Sequence, residues 1–321
     1  MENSTTIDLN PPMVAPANGG RKPVTNSEIK PTLQLVFPGL EKPVLDINEL
    51  AENSNSHIFR GRAPYDGRHV GVVLKVLKYG ERGDDSRRVE MFRRGAELHK
   101  KVSDHAARLG IPRVARVYDT GSLEGTYIAE EYFGMNRMDM HYILVEHVQG
   151  NEIEERLNSR DTPVEEKKSM LRQIAEGIMA AHDAGCVHRD IKPHNAVECP
   201  DEGIKLIDFG LAGSAGEITH EPAGTPLYLA PEGAIPGALD PRLDIFAFGV
   251  AAYEAVEGVH PYIAQPGEPP IGAIRNNRMR LPQSRGGLEL GIANIAVVCL
   301  QKDPRRRYRD GHELLAAIDR L

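Results

Sequence analysis

The chain reads as an α+β protein in which strands come first and helices follow. Between Leu45 and Val76 short apolar stretches are broken by Asn, Asp and Gly, the pattern of antiparallel strands joined by turns. Beyond Gly150 the apolar residues change to helical spacing, with Leu171, Ile174, Ala175, Ile178 and Met179 along one face. Elements in that order pack as segregated layers, the sheet in one part and the helices in another. A length of 321 residues suits one large domain or two modest ones.

Each element follows in turn. Within residues 1–44, the stretch up to about residue 32 holds Pro11, Pro12, Pro16, Pro23 and Pro31 among Asn, Thr, Ser and Gly. Such a segment buries too little apolar surface to offset its ordering entropy, so a disordered or weakly ordered tail is expected. Asp66-Gly67 reads as a hairpin turn leading into a strand over Val70 to Leu77. A helix is expected over residues 86–106, with Val89, Phe92, Ala96, Val102 and Ala106 on one face. Two apolar runs follow, Ile111 to Val117 and Tyr142 to Val148, separated by an insert over residues 120–141 that carries Met135, Met138 and Met140. Asp244 to Glu257 and Gly287 to Leu300 read as further apolar helices.

Composition narrows the function. The net charge of −7 offers no basic footprint for nucleic acid. Cys186, Cys199 and Cys299 stand at no metal-ligand or paired spacing, which suits a reducing compartment rather than a disulfide framework. No apolar run approaches a membrane span, and the polar N-terminus is no signal peptide, so a cytoplasmic protein is expected.

The informative stretch is His188-Arg189-Asp190-Ile191-Lys192-Pro193-His194-Asn195, followed by Asp208-Phe209-Gly210 and then Ala230-Pro231-Glu232. In this order and spacing the three motifs resemble the catalytic loop, metal-binding loop and activation-segment end of a eukaryotic-type (Hanks-type) serine/threonine protein kinase. The resemblance covers Leu45 to the C-terminus. It implies a bilobal fold: a small antiparallel β lobe with one main helix over 45–148, a larger and mostly helical lobe over 149–321, and ATP in the cleft. It also implies that Asp190 accepts or orients the attacking hydroxyl and that Lys192 reaches the transferred phosphate. Asn195 and Asp208 would hold Mg2+, a hard cation satisfied by few protein ligands plus phosphate oxygens. Gly224-Thr225-Pro226 through Glu232 resembles the substrate-docking loop, with Thr225 bonding Asp190 and Lys192, and Glu232 pairing with Arg307. Asp244 and Gly249 match the central helix, where the aspartate caps the catalytic-loop backbone.

The nucleotide half departs from the pattern. Val72-Val73-Leu74-Lys75 stands where the family has Val-Ala-Ile-Lys, making Lys75 the phosphate-contacting lysine and Val73 part of an adenine roof. Val197 would form the floor, Glu146-His147-Val148 the hinge and Val145 the gatekeeper; a rival hinge is Glu130-Glu131-Tyr132. The glycine-rich loop is degenerate: aligned on Ile58, its glycines become Ala51, Asn53 and Ser56. Bare backbone amides approach phosphate more closely than residues carrying a Cβ, so a weaker cradle is expected. The helix glutamate that pairs with the lysine is replaced by Gly95, while Glu90 and Glu97 lie opposite the apolar stripe.

The resemblance implies an ATP-dependent protein serine/threonine kinase acting on protein substrates with Ser or Thr acceptors. The alternative reading is a pseudokinase scaffold or allosteric partner; small-molecule phosphotransferases lack this activation segment. Glu152 and Glu254 stand where basophilic kinases hold an arginine of the substrate, since carboxylates take guanidinium bidentately, and His194 replaces a third such contact. Arg189 stands where an activation-segment phosphate is held, with Ser214 and Thr219 as the available hydroxyls. The tail and insert 120–141 are where a regulatory partner is expected.

Overall fold

The computed structural model describes residues 44–52, 56–78, 85–124, 139–265, 267–276, 278–284 and 286–321. The expected tail up to residue 43, Asn53 of the degenerate loop, the rival hinge and the centre of the insert lie outside the described residues. The chain divides into two compact units. One holds the described residues up to Asp85 together with Tyr118–His147; the other holds Ser86–Val117 and Val148–Leu321.

The first unit is a five-stranded sheet in the order β1-β2-β3-β5-β4. Its strands are β1 (Leu45–Glu52), β2 (Ser56–Tyr65), β3 (Arg68–Leu77), β4 (Val117–Glu124) and β5 (Asp139–Glu146). Asp66 and Gly67, with φ of 50° and 74°, form the two-residue turn that joins β2 to β3, Tyr65 pairing with Arg68. Both central residues are left-handed, which matches the twist of the flanking strands and explains Asp-Gly at this point. Val72, Leu74 and Val76 of β3 pack with Phe59, Ala63, Tyr142 and Leu144 on one face of the sheet. By the two-residue period of a strand, Val73 and Lys75 belong to the opposite face.

The second unit begins with α1 (Ser86–Leu109), whose buried side is Gly95, Ala96, Leu98, His99, Val102, Ser103 and Ala106. Glu90 and Glu97 are exposed, as the helical periodicity requires. The chain after α1 is tied back to it: Val117 N–H donates to Ser103 Oγ at 3.0 Å, and His99 Nε2 lies 2.9 Å from the Ala115 carbonyl. There follow β6 (Asn151–Glu152), α2 (Glu154–Asn158), α3 (Val164–Asp183), β7 (Cys186–Val187), β8 (Ala196–Cys199) and β9 (Gly203–Leu206). After these come β10 (Gly213–Ser214), β11 (Ile218–Thr219), β12 (Gly237–Ala238), α4 (Arg242–Glu257), α5 (Pro270–Arg275), α6 (Gly287–Cys299) and α7 (Gly311–Ile318).

The core of this unit is built on α4, in which every residue from Asp244 to Tyr253 is buried. Phe246, Phe248 and Tyr253 are almost fully enclosed, and each contributes about 1.5–3 kcal/mol of burial. Gly249 lets α4 approach α6: a Cβ there would lie 2.5 Å from Cys299 Cβ. The helix ends at Gly258, left-handed at φ 68°, whose N–H caps the Glu254 carbonyl at 2.8 Å. The three cysteines are all buried, and none is in a disulfide. Among the described residues no helix is long and apolar enough to cross a membrane.

The structure amends two expectations. Residues 120–124 and 139–141, assigned to an insert, belong to β4 and β5, so the candidate insert shrinks to what lies between those strands. The polar run Asp119-Thr120-Gly121-Ser122 masked the strand; its pairing comes from Tyr142, whose hydroxyl donates to Asp119 and whose carbonyl accepts from Thr120 Oγ1. The other concerns α1, which the sequence placed with the sheet and which the structure groups with the larger unit. Packing against α3 and β10 accounts for that.

Candidate active site

The catalytic loop is shaped from beneath by Asp244. Its buried carboxylate accepts the backbone N–H groups of His188 and Arg189, each at 2.8 Å, and lies 3.0 Å from His182 Nε2. Arg189 sits at φ 68°, a left-handed conformation that costs a non-glycine residue about 1–2 kcal/mol. The two charge-assisted bonds to Asp244 hold it there. The loop then runs through a single 3-10 turn, Pro193–Asn195, started by proline.

Three residues converge on the Asp190 carboxylate. Thr225 donates to Oδ1 from its backbone N–H at 2.9 Å and from its hydroxyl at 2.7 Å. Asn195 Nδ2 donates to Oδ2 at 2.8 Å and to the Asp190 carbonyl at 2.9 Å. Lys192 Nζ stands 2.9 Å from Oδ2 and donates to Thr225 Oγ1 at 2.7 Å. Thr225 comes this close because Gly224 precedes it: at φ 122°, a Cβ on Gly224 would lie 2.6 Å from the Arg189 carbonyl oxygen. Burial pushes the Asp190 carboxyl up, but the bonds from Lys192 and Thr225 and the positive charge of Lys192 outweigh it and hold it below its ordinary value. It is therefore an ionised hydrogen-bond acceptor at neutral pH and a weak base.

Asn195 and Asp208 flank one end of the β8–β9 hairpin, in which Ala196 pairs with Leu206. Ile207 N–H donates to the Asn195 carbonyl at 2.9 Å, keeping the two ends of the hairpin together. Asp208 is left-handed at φ 61°. Behind it the Phe209 ring lies between His99 of α1 and His188 of the catalytic loop, with both ring centroids at 4.4 Å. With its Nδ2 engaged by Asp190, Asn195 has Oδ1 as the atom a cation would use. Among the described residues no cluster of three His, Cys, Asp or Glu side chains forms a metal cage. One carboxylate and one amide oxygen fit a magnesium ion that completes its shell with phosphate and water. Val197 is buried in β8, paired with Glu152 of β6 and Lys205 of β9.

The first unit carries the remaining candidates. Lys75 pairs in register with Ile58 of β2 and Ile143 of β5, and Val73 with Arg60 and Val145. Ile58, Arg60, Val73, Lys75, Ile143 and Val145 thus share one sheet face, an aliphatic surface bearing one lysine and one arginine. Ala51 keeps its backbone place opposite Ile58 in β1, and Ser56 is the buried first residue of β2. Glu146 closes β5 opposite Val72, and the His147 N–H donates to the Gly71 carbonyl at 3.0 Å. Burial and the charge of Arg60 hold the His147 imidazole below its ordinary value, hence neutral. Val148 is half-buried and belongs to the second unit.

Where the family pattern has a glutamate, Gly95 packs on the metal loop. A Cβ there would lie 3.1 Å from the Phe209 carbonyl oxygen and 3.2 Å from that of Gly210. Further contacts lock the surroundings. Glu232 receives both terminal nitrogens of Arg307, at 2.5 and 2.9 Å, and the guanidinium carbon lies 4.8 Å from the Phe246 ring centroid. Tyr228 donates to Glu254 at 2.9 Å, and His194 pairs with Glu154 at 2.7 Å, while Glu152 is exposed. The ion pairs Arg94–Glu217 and Arg87–Glu221 join α1 to the segment after the metal loop. No spacing signal announces these last pairs, whose members stand far apart in sequence.

Comparison with known proteins agrees with this geometry. The family model described as protein kinase domain matches residues 65–315. A probable serine/threonine-protein kinase of Clostridium acetobutylicum is 30% identical over 280 residues, covering 85% of this chain and 39% of that protein. The serine/threonine-protein kinase PrkC of Bacillus subtilis is 29% identical over 257 residues, 77% of this chain and 36% of that protein. PknB of Mycobacterium tuberculosis, also a serine/threonine-protein kinase, is 28% identical over 265 residues, 79% and 39% respectively. The chain spans about two fifths of the length of these curated relatives.

Proposed function

The chain belongs to the protein kinase family, and on that premise we propose that it transfers the γ-phosphate of ATP to serine or threonine hydroxyls of protein substrates. The observation that carries this reading is the closed set of bonds around Asp190. Lys192, Asn195 and Thr225 hold an ionised carboxylate with no hydroxyl of its own to donate.

Asp190 accepts a hydrogen bond from the acceptor hydroxyl and aims its lone pair at the γ-phosphorus. The bond from that oxygen to phosphorus forms as the bond to the β–γ bridging oxygen breaks, ADP leaves, and the hydroxyl proton passes late to Asp190 and on to solvent. A loose transition state needs positioning more than a strong base, so a carboxyl held below its ordinary value suffices. Lys192 sits beside Asp190 and offsets negative charge on the transferred group. Asn195 and Asp208 would hold magnesium, which supplies charge neutralisation at the phosphates. Lys75 would contact the α- and β-phosphates. Ile58, Val73 and Val197 would contact the base, with the Glu146–Val148 backbone reading its edge. The backbone near Ala51, Asn53 and Ser56 would cover the phosphates more loosely than a glycine loop does.

In this reading the kinase domain runs over 45–321. Residues 1–44 and the remainder of the insert are where a regulatory partner would dock, and the enzyme works in a reducing cytoplasm. The test is transfer of labelled γ-phosphate from Mg-ATP to the protein itself and to basic and acidic protein substrates, with Asp190→Asn as control. Transfer that is lost in the variant is expected. Equal, background-level transfer by both, with several divalent metals tried, would shift the assignment to a pseudokinase scaffold.

A further inference from the structure

The sheet face that bears Lys75 is ordered in rungs across β2, β3 and β5. Ile58, Lys75 and Ile143 form one rung, and Arg60, Val73 and Val145 form the next. Arg60, rather than Ile58, is thus the β2 residue directly opposite Val73. Paired residues on one face stand about 4.5–5.5 Å apart at Cβ, and successive rungs of that face about 7 Å apart. A third rung pairs Arg62 with Gly71, whose carbonyl accepts the His147 N–H at 3.0 Å. Arg60 therefore lies between the Lys75 rung and the His147 end of the sheet.

The two arginines differ in how their charge is met. Arg62 donates from Nε to the Asp46 carboxylate at 2.9 Å, so its cation is already matched. Arg60 is exposed, and among the described residues no carboxylate or carbonyl accepts a hydrogen bond from its guanidinium. Asn48, opposite it in β1, spends its amide on the Asp46 carbonyl at 2.8 Å. Toward β3 and β5 its neighbours are aliphatic, Val73 and Val145 on its own rung. Its charge acts on the His147 imidazole, which burial and Arg60 together keep neutral. The guanidinium thus stands on this face with no anion to pair with and its plane open to a ligand.

We propose that the Arg60 guanidinium stacks on the base of the bound nucleotide, beside Val73. The proposal rests on the kinase reading above, in which Lys75 meets the phosphates and Val73 the base. Guanidinium groups lie flat on aromatic rings and are drawn to their π-faces. Position along the strand favours the base over the phosphates. Arg60 is one rung from Lys75 toward His147, whereas Ser56, paired with Leu77, lies one rung from Lys75 the other way. Attraction at the base offsets the looser hold on phosphate that Ala51 and Ser56 give in place of glycine.

The test uses the full chain as wild type, Arg60→Thr, Arg60→Lys and, as control, Arg62→Thr. Threonine keeps strand propensity and removes the stacking plane, while lysine keeps the charge without the plane. Dissociation constants are measured by calorimetry for Mg-ATP and tripolyphosphate, and by displacement of Mg-ATP for adenosine. KM and kcat for ATP are read with histone as acceptor. Arg60→Thr should weaken Mg-ATP and adenosine alike, about fivefold, and leave tripolyphosphate unchanged. KM for ATP should rise by the same factor with kcat held. Arg60→Lys should fall between, and Arg62→Thr should match wild type. A loss shared by Mg-ATP and tripolyphosphate, with adenosine unchanged, would make Arg60 a phosphate contact and overturn the proposal. Phosphate transfer by wild type with no dependence on Arg60 would leave the kinase reading standing and sink the proposal. Binding with the expected dependence but no transfer would do the reverse. If wild type binds neither Mg-ATP nor adenosine, both fall.

Discussion

Gly95 lies against the backbone of Phe209, so near that a Cβ would stand 3.1 Å from the Phe209 carbonyl oxygen. The residue is thus an adaptation of α1 to the metal loop and more than the loss of a glutamate. The helix is tied to this loop by that close backbone contact, the His99–Phe209 stack and the Arg94–Glu217 pair.

Gly95→Ala raises helix propensity by about 1 kcal/mol but forces a Cβ onto rigid backbone, which costs about 1–3 kcal/mol. The expected outcome is a small net loss of stability in urea unfolding and a larger loss of transfer rate. Gly95→Glu should be worse on both measures. A more active Gly95→Glu enzyme would show that the helix has room for the usual ion pair.

Thr225→Val removes the hydroxyl donor to Asp190 and keeps the backbone N–H. Asp190 is held below its ordinary carboxylate value despite burial, so its stabilising contribution is present above the unfolded value of about 3.9 and lost as pH falls through the lower folded value. The contribution of Asp190 to the acid limb of the rate profile therefore lies below the ordinary carboxylate range in wild type. In Thr225→Val that limb should move to higher pH and kcat should fall about tenfold, while Thr225→Ser stays close to wild type. An unmoved profile would remove Thr225 from control of the carboxylate.

Arg307→Ala should cost about 3–5 kcal/mol in chemical unfolding, because it strands the Glu232 carboxylate and the Gln301 and Arg242 carbonyls that Arg307 now serves. Arg307→Lys should recover only part, since an ammonium cannot take both Glu232 oxygens and lie over Phe246 together. A loss under about 1 kcal/mol for Arg307→Ala would place the pair among weak surface bridges.

Glu254 behaves oppositely to Asp190. Burial raises its carboxyl, opposed by the Tyr228 bond and the His260 charge, with Glu154 adding to the rise. The folded state therefore binds this proton more tightly than the unfolded chain. The associated stability is present at low pH and is lost as pH rises from the ordinary glutamate value, about 4.3, through the higher folded one. Glu254→Gln should flatten that part of the stability profile and leave neutral-pH stability equal or higher. A wild-type profile rising through this window relative to the variant would contradict the sign.

Much of the site was legible in the sequence because its contacts are local or lie between motifs of known partnership. His188 to Asn195 form one loop, the Asn195–Asp208 pair closes one short hairpin, and Asp244, Thr225 and Arg307 were expected opposite the partners they meet. Strand β4 was less legible, since its Asp, Thr, Gly and Ser residues lack an apolar alternation and only pairing with β5 makes them a strand. Still less legible was Glu217, one acidic residue among many until Arg94, far back in the chain, is brought beside it.

Sequence alone determined the α+β order of elements, the Asp-Gly hairpin, the buried face of α1 and the identity of the catalytic loop. The first three follow from side-chain periodicity and from backbone preferences that each residue carries with it, and the last from the resemblance of its motifs to the kinase family. Tertiary structure decided which unit α1 joins, why a glycine stands at position 95 and where the Glu217 carboxylate finds its charge. These depend on distances between segments remote in the chain, and only packing sets such distances, through close contact that admits no Cβ and half-buried charge that needs a partner.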